Sequence, residues 1–263
     1  MNSSTILDIF RTLPADPVKL TLFSSPLPAL LIVVGYLIFV LKLGRDFMAQ
    51  RKPFNVRRVM LVYNLCQILM NAVMFGCGFY FILIRRVYDL RCMEMLPLDH
   101  PEKHFERLVV YAYWLNKVLD LADTVFFVLR KSYKQITVLH VYHHALMVLG
   151  PPVVFYLFGA GGQLCMMGFL NTLVHVVMYA YYYVAAQYPQ IKGKLWWKQY
   201  ITKLQMLQFA ILFVQATLVL CLNPGCNFPL SLQYLQLAVS TSMMIMFGNF
   251  YYQTYIRAKS KQH

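Results

Sequence analysis

Apolar residues fall into seven long runs along this chain, and nearly all the charge lies in the short stretches between them. The runs cover 27–43, 59–84, 108–129, 136–158, 164–184, 204–222 and 232–252. Each is close to the roughly 20 residues an α-helix needs to cross hydrocarbon. The first run, of 17 residues, suits a thin membrane. Within the fourth, "GPP" at 150–152 is expected to kink the helix rather than end it. The pattern predicts an all-α polytopic membrane protein of seven transmembrane helices. The division is a short N-terminus (1–26), a membrane domain (27–252) and a tail (253–263), with no room for a soluble domain.

Composition agrees: 59% of residues are hydrophobic, 13% are charged and mean hydropathy is +0.53, against about a quarter charged in soluble domains. The start "MNSSTILDIFRTLPADPVKL" lacks a basic region followed at once by an apolar core, so the first run reads as an uncleaved signal helix. A net charge of +14 could suggest nucleic acid. The basic residues instead sit between apolar runs, where topology places them, so no nucleic-acid partner is expected. Loops 44–58, 130–135 and 185–203, the tail and Lys42 hold 16 of the 24 basic residues and one acid, Asp46. The N-terminus and remaining loops hold seven basic and seven acidic residues. The positive-inside rule then predicts a lumenal N-terminus and a cytosolic C-terminus. Asn2-Ser3-Ser4, a glycosylation acceptor, falls on the lumenal side. Cys92 and Cys226 fall in lumenal loops, where an oxidising compartment permits a disulfide.

Against this apolar background, "VLHVYHHALM" at 138–147 stands out. At 1.5 Å of rise per residue, His140 lies about 6 Å from the cytosolic face and His143 and His144 about 11 Å. On neighbouring runs His175 and Asp120 reach about 13 Å and Asp123 about 9 Å, with Lys117 deeper still. Gln205 and Gln208 line the cytosolic entrance. Four helices thus place their costliest groups in one slab, and ionisable groups inside a membrane usually mark a site. The spacing of His140, His143 and His144 puts them on one broad face. A buried polar network that holds helices together is the plain alternative. "HxxHH" resembles a histidine box of membrane di-iron desaturases and hydroxylases. Those centres need more histidines than the four found within these spans. A lone zinc on His140, His144, His175 and Asp123 remains geometrically open, as does nucleophilic attack by imidazole on a thioester. A proton-coupled transporter would show an inverted repeat, which is not seen.

Four motifs in order carry a more specific likeness. "KVLDLADTVFFVLRK" at 117–131, "HVYHH" at 140–144, "NTLVHVVMYAYYY" at 171–183 and "TKLQMLQF" at 202–209 resemble the signatures of the very-long-chain fatty acid elongases. "KPFNVRRVMLVYN" at 52–64 is similar to the stretch entering their second helix. The resemblance implies a 3-ketoacyl-CoA synthase of the endoplasmic reticulum that condenses long acyl-CoA with malonyl-CoA and needs no cofactor. It implies a closed ring of helices two to seven around a substrate tunnel. By resemblance His143 takes the acyl group as an acyl-imidazole and His175 steadies the enolate. His140 and His144 orient the box, and Asp120 and Asp123 set tautomers and charge. Lys117, Asn171, Tyr179, Tyr182, Gln205 and Gln208 contact the thioester, carboxylate or pantetheine, while Arg130 and Lys131, with Lys134, meet CoA phosphates. The implied partners are membrane lipid, the cycle's 3-ketoacyl-CoA reductase, 3-hydroxyacyl-CoA dehydratase and enoyl-CoA reductase, and a second copy in a homodimer. A metal-dependent lipid oxygenase and a non-catalytic lipid-binding protein are the alternatives.

Two departures from the family pattern stand in the sequence. Asp120 occupies a position where glutamate is usual, which shortens its reach to Lys117 or a histidine by one methylene. "ALMVLGPPVVFYLF" after the box lacks the tryptophans and lysine common there. Residues around 150–155 and 218–222 are expected to set maximum chain length. The ending "KSKQH" resembles a dilysine retrieval signal.

Overall fold

A computed structural model describes residues 15–188, 190, 195–223 and 225–257, with only the backbone of 195 and 196. The acceptor at Asn2 and the "KSKQH" ending lie outside the described residues.

Seven long helices appear: α1 (Pro26–Ala49), α2 (Arg57–Ile84), α3 (Lys103–Leu129), α4 (Val138–Phe158), α5 (Leu164–Gln187), α6 (Leu195–Leu222) and α7 (Leu230–Ile256). Among the described residues, all except α3 are long and apolar enough to cross a membrane. Helix α3 has the length but carries Lys117, Asp120 and Asp123 along its middle. Most helices run past the expected limits. Helix α6 starts at Leu195 rather than 204, because "LWWKQYITK" is too polar to read as a span yet winds continuously into one. Helix α4 starts two residues late, at Val138, because Thr137 caps it: the threonine side chain accepts from the His140 amide at 3.2 Å.

The surface inverts the soluble-protein rule. Leu27, Leu31, Leu41, Val62, Leu69, Val73 and Ile245 are exposed, while Asn64, Gln67, Asn71, Asn116, Lys117 and Asp120 are buried. Outward leucines and inward amides suit a hydrocarbon solvent, where a polar group needs a partner inside the protein. The chain is an all-α, multi-span membrane protein.

Helix α4 continues through Pro151 and Pro152 without ending. Pro152 has no N–H, so the carbonyl of Val148 loses its partner four residues on. The indole of Trp114 on α3 donates to that carbonyl at 2.8 Å and replaces the missing bond. Trp114 in turn packs with Phe23, Ala29 and Phe155, which fixes the lead-in to α1 against α3 and α4. Deeper along α1, Val33, Tyr36 and Val40 pack with Leu121 and Val148.

At the end opposite the histidines, Cys92 and Cys226 form a disulfide with Cα atoms 5.7 Å apart, joining the α2–α3 and α6–α7 connections. The α4–α5 connection is a run of glycines, with positive φ at Gly159, Gly161 and Gly162. Gly161 folds directly over the Glu106 carboxyl, where a Cβ would collide with it. Lys103 pairs with Glu106 at 2.7 Å and donates to the Ala160 carbonyl at 3.0 Å. The Tyr88 hydroxyl donates to Glu106 as well. Burial, with Cys165 and Glu106 alongside, pushes that hydroxyl well above its ordinary range, so it stays a donor.

Candidate active site

The first turn of α4 sets out the histidine face. Its capped start puts His140 one turn before His143 and His144. The His140 and His144 rings lie 4.2 Å apart, and the His143 and His144 rings meet edge-on at 5.7 Å. His140 Nε2 is 2.8 Å from the Thr124 hydroxyl on α3, and that hydroxyl is 3.0 Å from Tyr36 on α1.

Facing it, α3 and α5 build a second buried array. Lys117 Nζ lies 2.8 Å from Asp120, 3.0 Å from Asn171 Oδ1 and 3.2 Å from His175 Nδ1. Tyr113 donates to the same Asn171 oxygen at 3.0 Å. With Oδ1 holding two donors, the Asn171 amide nitrogen has no hydrogen-bond partner among the described residues. The Tyr179 hydroxyl lies 3.0 Å from Asp120 and 2.7 Å from Asp123. A phenol owns one hydrogen, so the two carboxyls either share it or one of them carries a proton of its own. The substituted position keeps its ion pair: Asp120 still reaches Lys117. Asp120 Oδ2 also stands 3.5 Å from His175 Nδ1, the nitrogen that already accepts from Lys117.

Two cavities meet here. A polar one of about 360 Å³ is lined by His140, His144, His175, Asp123, Tyr179, Tyr182 and Gln205, with Lys134 and Lys198 also in its wall. An apolar one continues past Met147, Gly150, Val154 and Phe155 to Glu106, Gly161 and Cys165. His143, Asn171, Gln208 and Phe209 line both. Ten of the expected site residues therefore come together around one space: the four histidines, Asp123, Asn171, Tyr179, Tyr182, Gln205 and Gln208. Lys117 and Asp120 stand behind His175.

Lys131 does not line this space, and Arg130 stands next to it. Arg130 lines an adjoining cavity beside Arg57, which shares Asp123, Tyr182 and Lys198 with the histidine cavity, and lies 3.3 Å from the Met60 sulfur. Lys131 takes a positive φ and donates to the Ala49 carbonyl at the end of α1 at 3.2 Å. Lys134 lines the histidine cavity, and Lys198, which the sequence did not single out, lines both. The zinc quartet does not converge either. Among the described residues, the one group whose donor atoms all lie within 4.8 Å is Cys92, Glu94 and Cys226, and the two sulfurs there are bonded to each other. Residues 150–155 contribute Gly150, Pro151, Val154 and Phe155 to the apolar cavity. Leu218 and Leu222 instead face outward, 50% and 75% exposed. The far end is walled by Phe81, Ile82, Glu106, Leu164 and Cys165.

Sequence reasoning missed Tyr36, Tyr113 and Tyr63, whose hydroxyl lies 3.3 Å from that of Tyr179. Tyr113 sits four residues before Lys117 on the same helical face, a readable though weak signal. Nothing in the sequence ties Tyr36, on another helix, to the box.

Comparison with known proteins is consistent across the chain. The profile of the GNS1/SUR4 (ELO) family matches residues 21–263. The very long chain fatty acid elongase F of Drosophila simulans is 42% identical over 253 residues, covering 94% of this chain and 95% of that one. Its Drosophila melanogaster counterpart is 41% identical, covering 94% and 96%. The human very long chain fatty acid elongase 4 is 36% identical, covering 90% of this chain and 74% of that one. A profile match over nearly the whole length, on residues that converge in space, leaves one conclusion: the chain belongs to the GNS1/SUR4 family of very-long-chain fatty acid elongases.

Proposed function

We propose that this protein condenses a long-chain acyl-CoA with malonyl-CoA to give a 3-ketoacyl-CoA, CO₂ and CoA. The observation that carries the reading is the position of His143, the one histidine lining both the polar and the apolar cavity. A reacting carbonyl at His143 has room for a hydrocarbon chain on one side and for a polar carrier on the other.

In this reading α2 to α7 close into a ring around a tunnel formed by the two cavities, and α1 packs outside it. An imidazole nitrogen of His143 attacks the thioester carbonyl; the new C–N bond forms as the C–S bond breaks, and CoA leaves as its thiol after taking a proton. Malonyl-CoA then enters, loses CO₂, and its α-carbon attacks the acyl-imidazole. The C–C bond forms, the C–N bond breaks and the imidazole is restored. The Asn171 amide nitrogen, left free by Tyr113 and Lys117, is placed to hold the enolate oxygen. His175, backed by Lys117, sits across the cavity from the box. Gln205, Gln208, Tyr179 and Tyr182 supply hydrogen bonds to thioester and pantetheine, while Lys134 and Lys198 meet the phosphates. Burial excludes water from an intermediate that hydrolyses readily. The mouth with its lysines faces the cytosol, the disulfide and N-terminus face the lumen of the endoplasmic reticulum, and the C-terminus is cytosolic; the distribution of Lys and Arg supports this orientation. The product passes to a ketoreductase, a dehydratase and an enoyl reductase.

The test is condensation by detergent-purified protein given malonyl-CoA and a panel of acyl-CoAs, beside His143→Ala. We expect 3-ketoacyl-CoA from wild type alone, and acyl-CoA without malonyl-CoA should leave an acyl group on His143 by peptide mass spectrometry. Product from a folded His143→Ala protein would end the proposal.

A further inference from the structure

Helix α1 stands outside the helices that line the cavities, yet one of its side chains reaches the histidine box. Tyr36 is 7% exposed and Thr124 fully buried. Their hydroxyls stand 3.0 Å apart, and Thr124 continues to His140 Nε2 at 2.8 Å. The chain is held from several sides. Val33, Val40, Leu121 and Val148 pack around Tyr36. Phe127 lies against the His140 ring at 5.3 Å, and Thr137 fixes the His140 backbone.

The direction of these bonds follows from the groups themselves. Each hydroxyl owns one hydrogen, and a neutral imidazole accepts at one nitrogen and donates at the other. A phenol is the better donor and an imidazole the better acceptor. The order Tyr36 to Thr124 to His140 gives both hydroxyl hydrogens an acceptor. It leaves Nε2 of His140 occupied as an acceptor and its ring hydrogen on Nδ1. The reverse order would spend the phenol as an acceptor only and strand its hydrogen in an apolar pocket, at the cost of an unmade hydrogen bond.

We infer that Tyr36 and Thr124 are positioning residues for condensation: their hydroxyl relay fixes the tautomer and ring orientation of His140, and through it the histidine box. The consequence passes along the rings. His140 packs at 4.2 Å on His144, and His144 meets His143 at 5.7 Å. A His140 ring free to turn loosens the support on which the attacking imidazole of His143 rests. Helix α1 thereby takes part in the chemistry without touching substrate. This inference rests on the condensation reading.

Full-length protein carrying Tyr36→Phe, Thr124→Val or Thr124→Ser tests it. Phenylalanine and valine keep shape and remove the hydroxyl; serine keeps the hydroxyl. Each variant is measured for kcat and KM of both CoA substrates, and thermal unfolding confirms the fold. We expect Tyr36→Phe and Thr124→Val to lower kcat about tenfold, the scale of one lost buried hydrogen bond, with both KM values unchanged. Thr124→Ser should stay within about twofold of wild type. Wild-type kcat in Thr124→Val overturns the relay. Wild-type kcat in Tyr36→Phe alone removes the role of α1. A folded Thr124→Ser as slow as Thr124→Val shows that packing, not the hydroxyl, matters, which also overturns it. An inactive wild type would instead count against the condensation reading itself.

Discussion

Removing one partner of the Lys117–Asp120 pair should be far worse than removing both. The side chains are 1% and 3% exposed and 2.8 Å apart. At that separation and an effective dielectric of about 20, attraction is about 6 kcal/mol, most of it offset by the cost of stripping both charges of solvent. Lys117→Met leaves a buried carboxylate facing Tyr179 alone, and Asp120→Leu leaves a buried ammonium with only Asn171 and His175. Each single change should cost about 3–5 kcal/mol. For a chain of this size that lowers the apparent melting temperature by about 6 to 20 °C. The paired Lys117→Met/Asp120→Leu protein removes both charges together. Of the groups they served, Asn171 keeps Tyr113 and Tyr179 keeps Asp123, while His175 gives up its contact with Lys117. Its stability should return to within about 2 kcal/mol of wild type, although catalysis is lost. Thermal unfolding of the four proteins in one detergent completes the double-mutant cycle. A double variant whose loss equals the sum of the two singles would show that the ions do not act as a pair, and the reasoning would fall.

Three further outcomes follow. Asp120→Glu restores the residue usual in the family pattern and adds about 1.5 Å of reach, so it should raise kcat several-fold in the condensation assay; a fall in kcat would mean that the buried space is already full. Gly161→Ala places a methyl against Glu106 at a φ of +102° and should destabilise the protein by about 1–3 kcal/mol, read as a drop in melting temperature; an unchanged value would refute the contact. Gly150→Leu should shorten the products seen by gas chromatography, because Gly150 lines the apolar cavity, whereas Leu218→Phe, on an outward face, should leave chain length alone; the opposite result would move the acyl path elsewhere.

The histidine cluster was legible because each ionisable group in hydrocarbon is costly, so four helices carrying them at one depth could scarcely be accidental. The hydroxyls that support it were not. Thr124 shares a helical face with Lys117 and Asp120 in the sequence, but Tyr36 and Tyr113 sit at ordinary spacing, and only packing reveals which of many buried hydroxyls meet a histidine. Hydropathy cut α3 short at 108 because Lys103, Glu106 and Arg107 look like loop. In the fold they are buried and paired, with Arg107 bonded to Asp16 at 2.7 Å, and the helix runs on. Arg130 and Lys131 were grouped with the site because they are adjacent to its motif. The left-handed turn at Lys131, which no hydropathy pattern signals, carries that lysine to α1.

The glycine turn clamped over Glu106 closes the apolar cavity with a charged pair that hydrocarbon will not displace. From His143 to Gly159 is 16 residues of helix, about 24 Å at 1.5 Å each, or about 18 extended carbons. In the condensation reading, an acyl chain that already fills this length cannot seat its carbonyl at His143. Elongation on this scaffold therefore carries its own end point: abundant malonyl-CoA would change how fast products accumulate, not how long they grow.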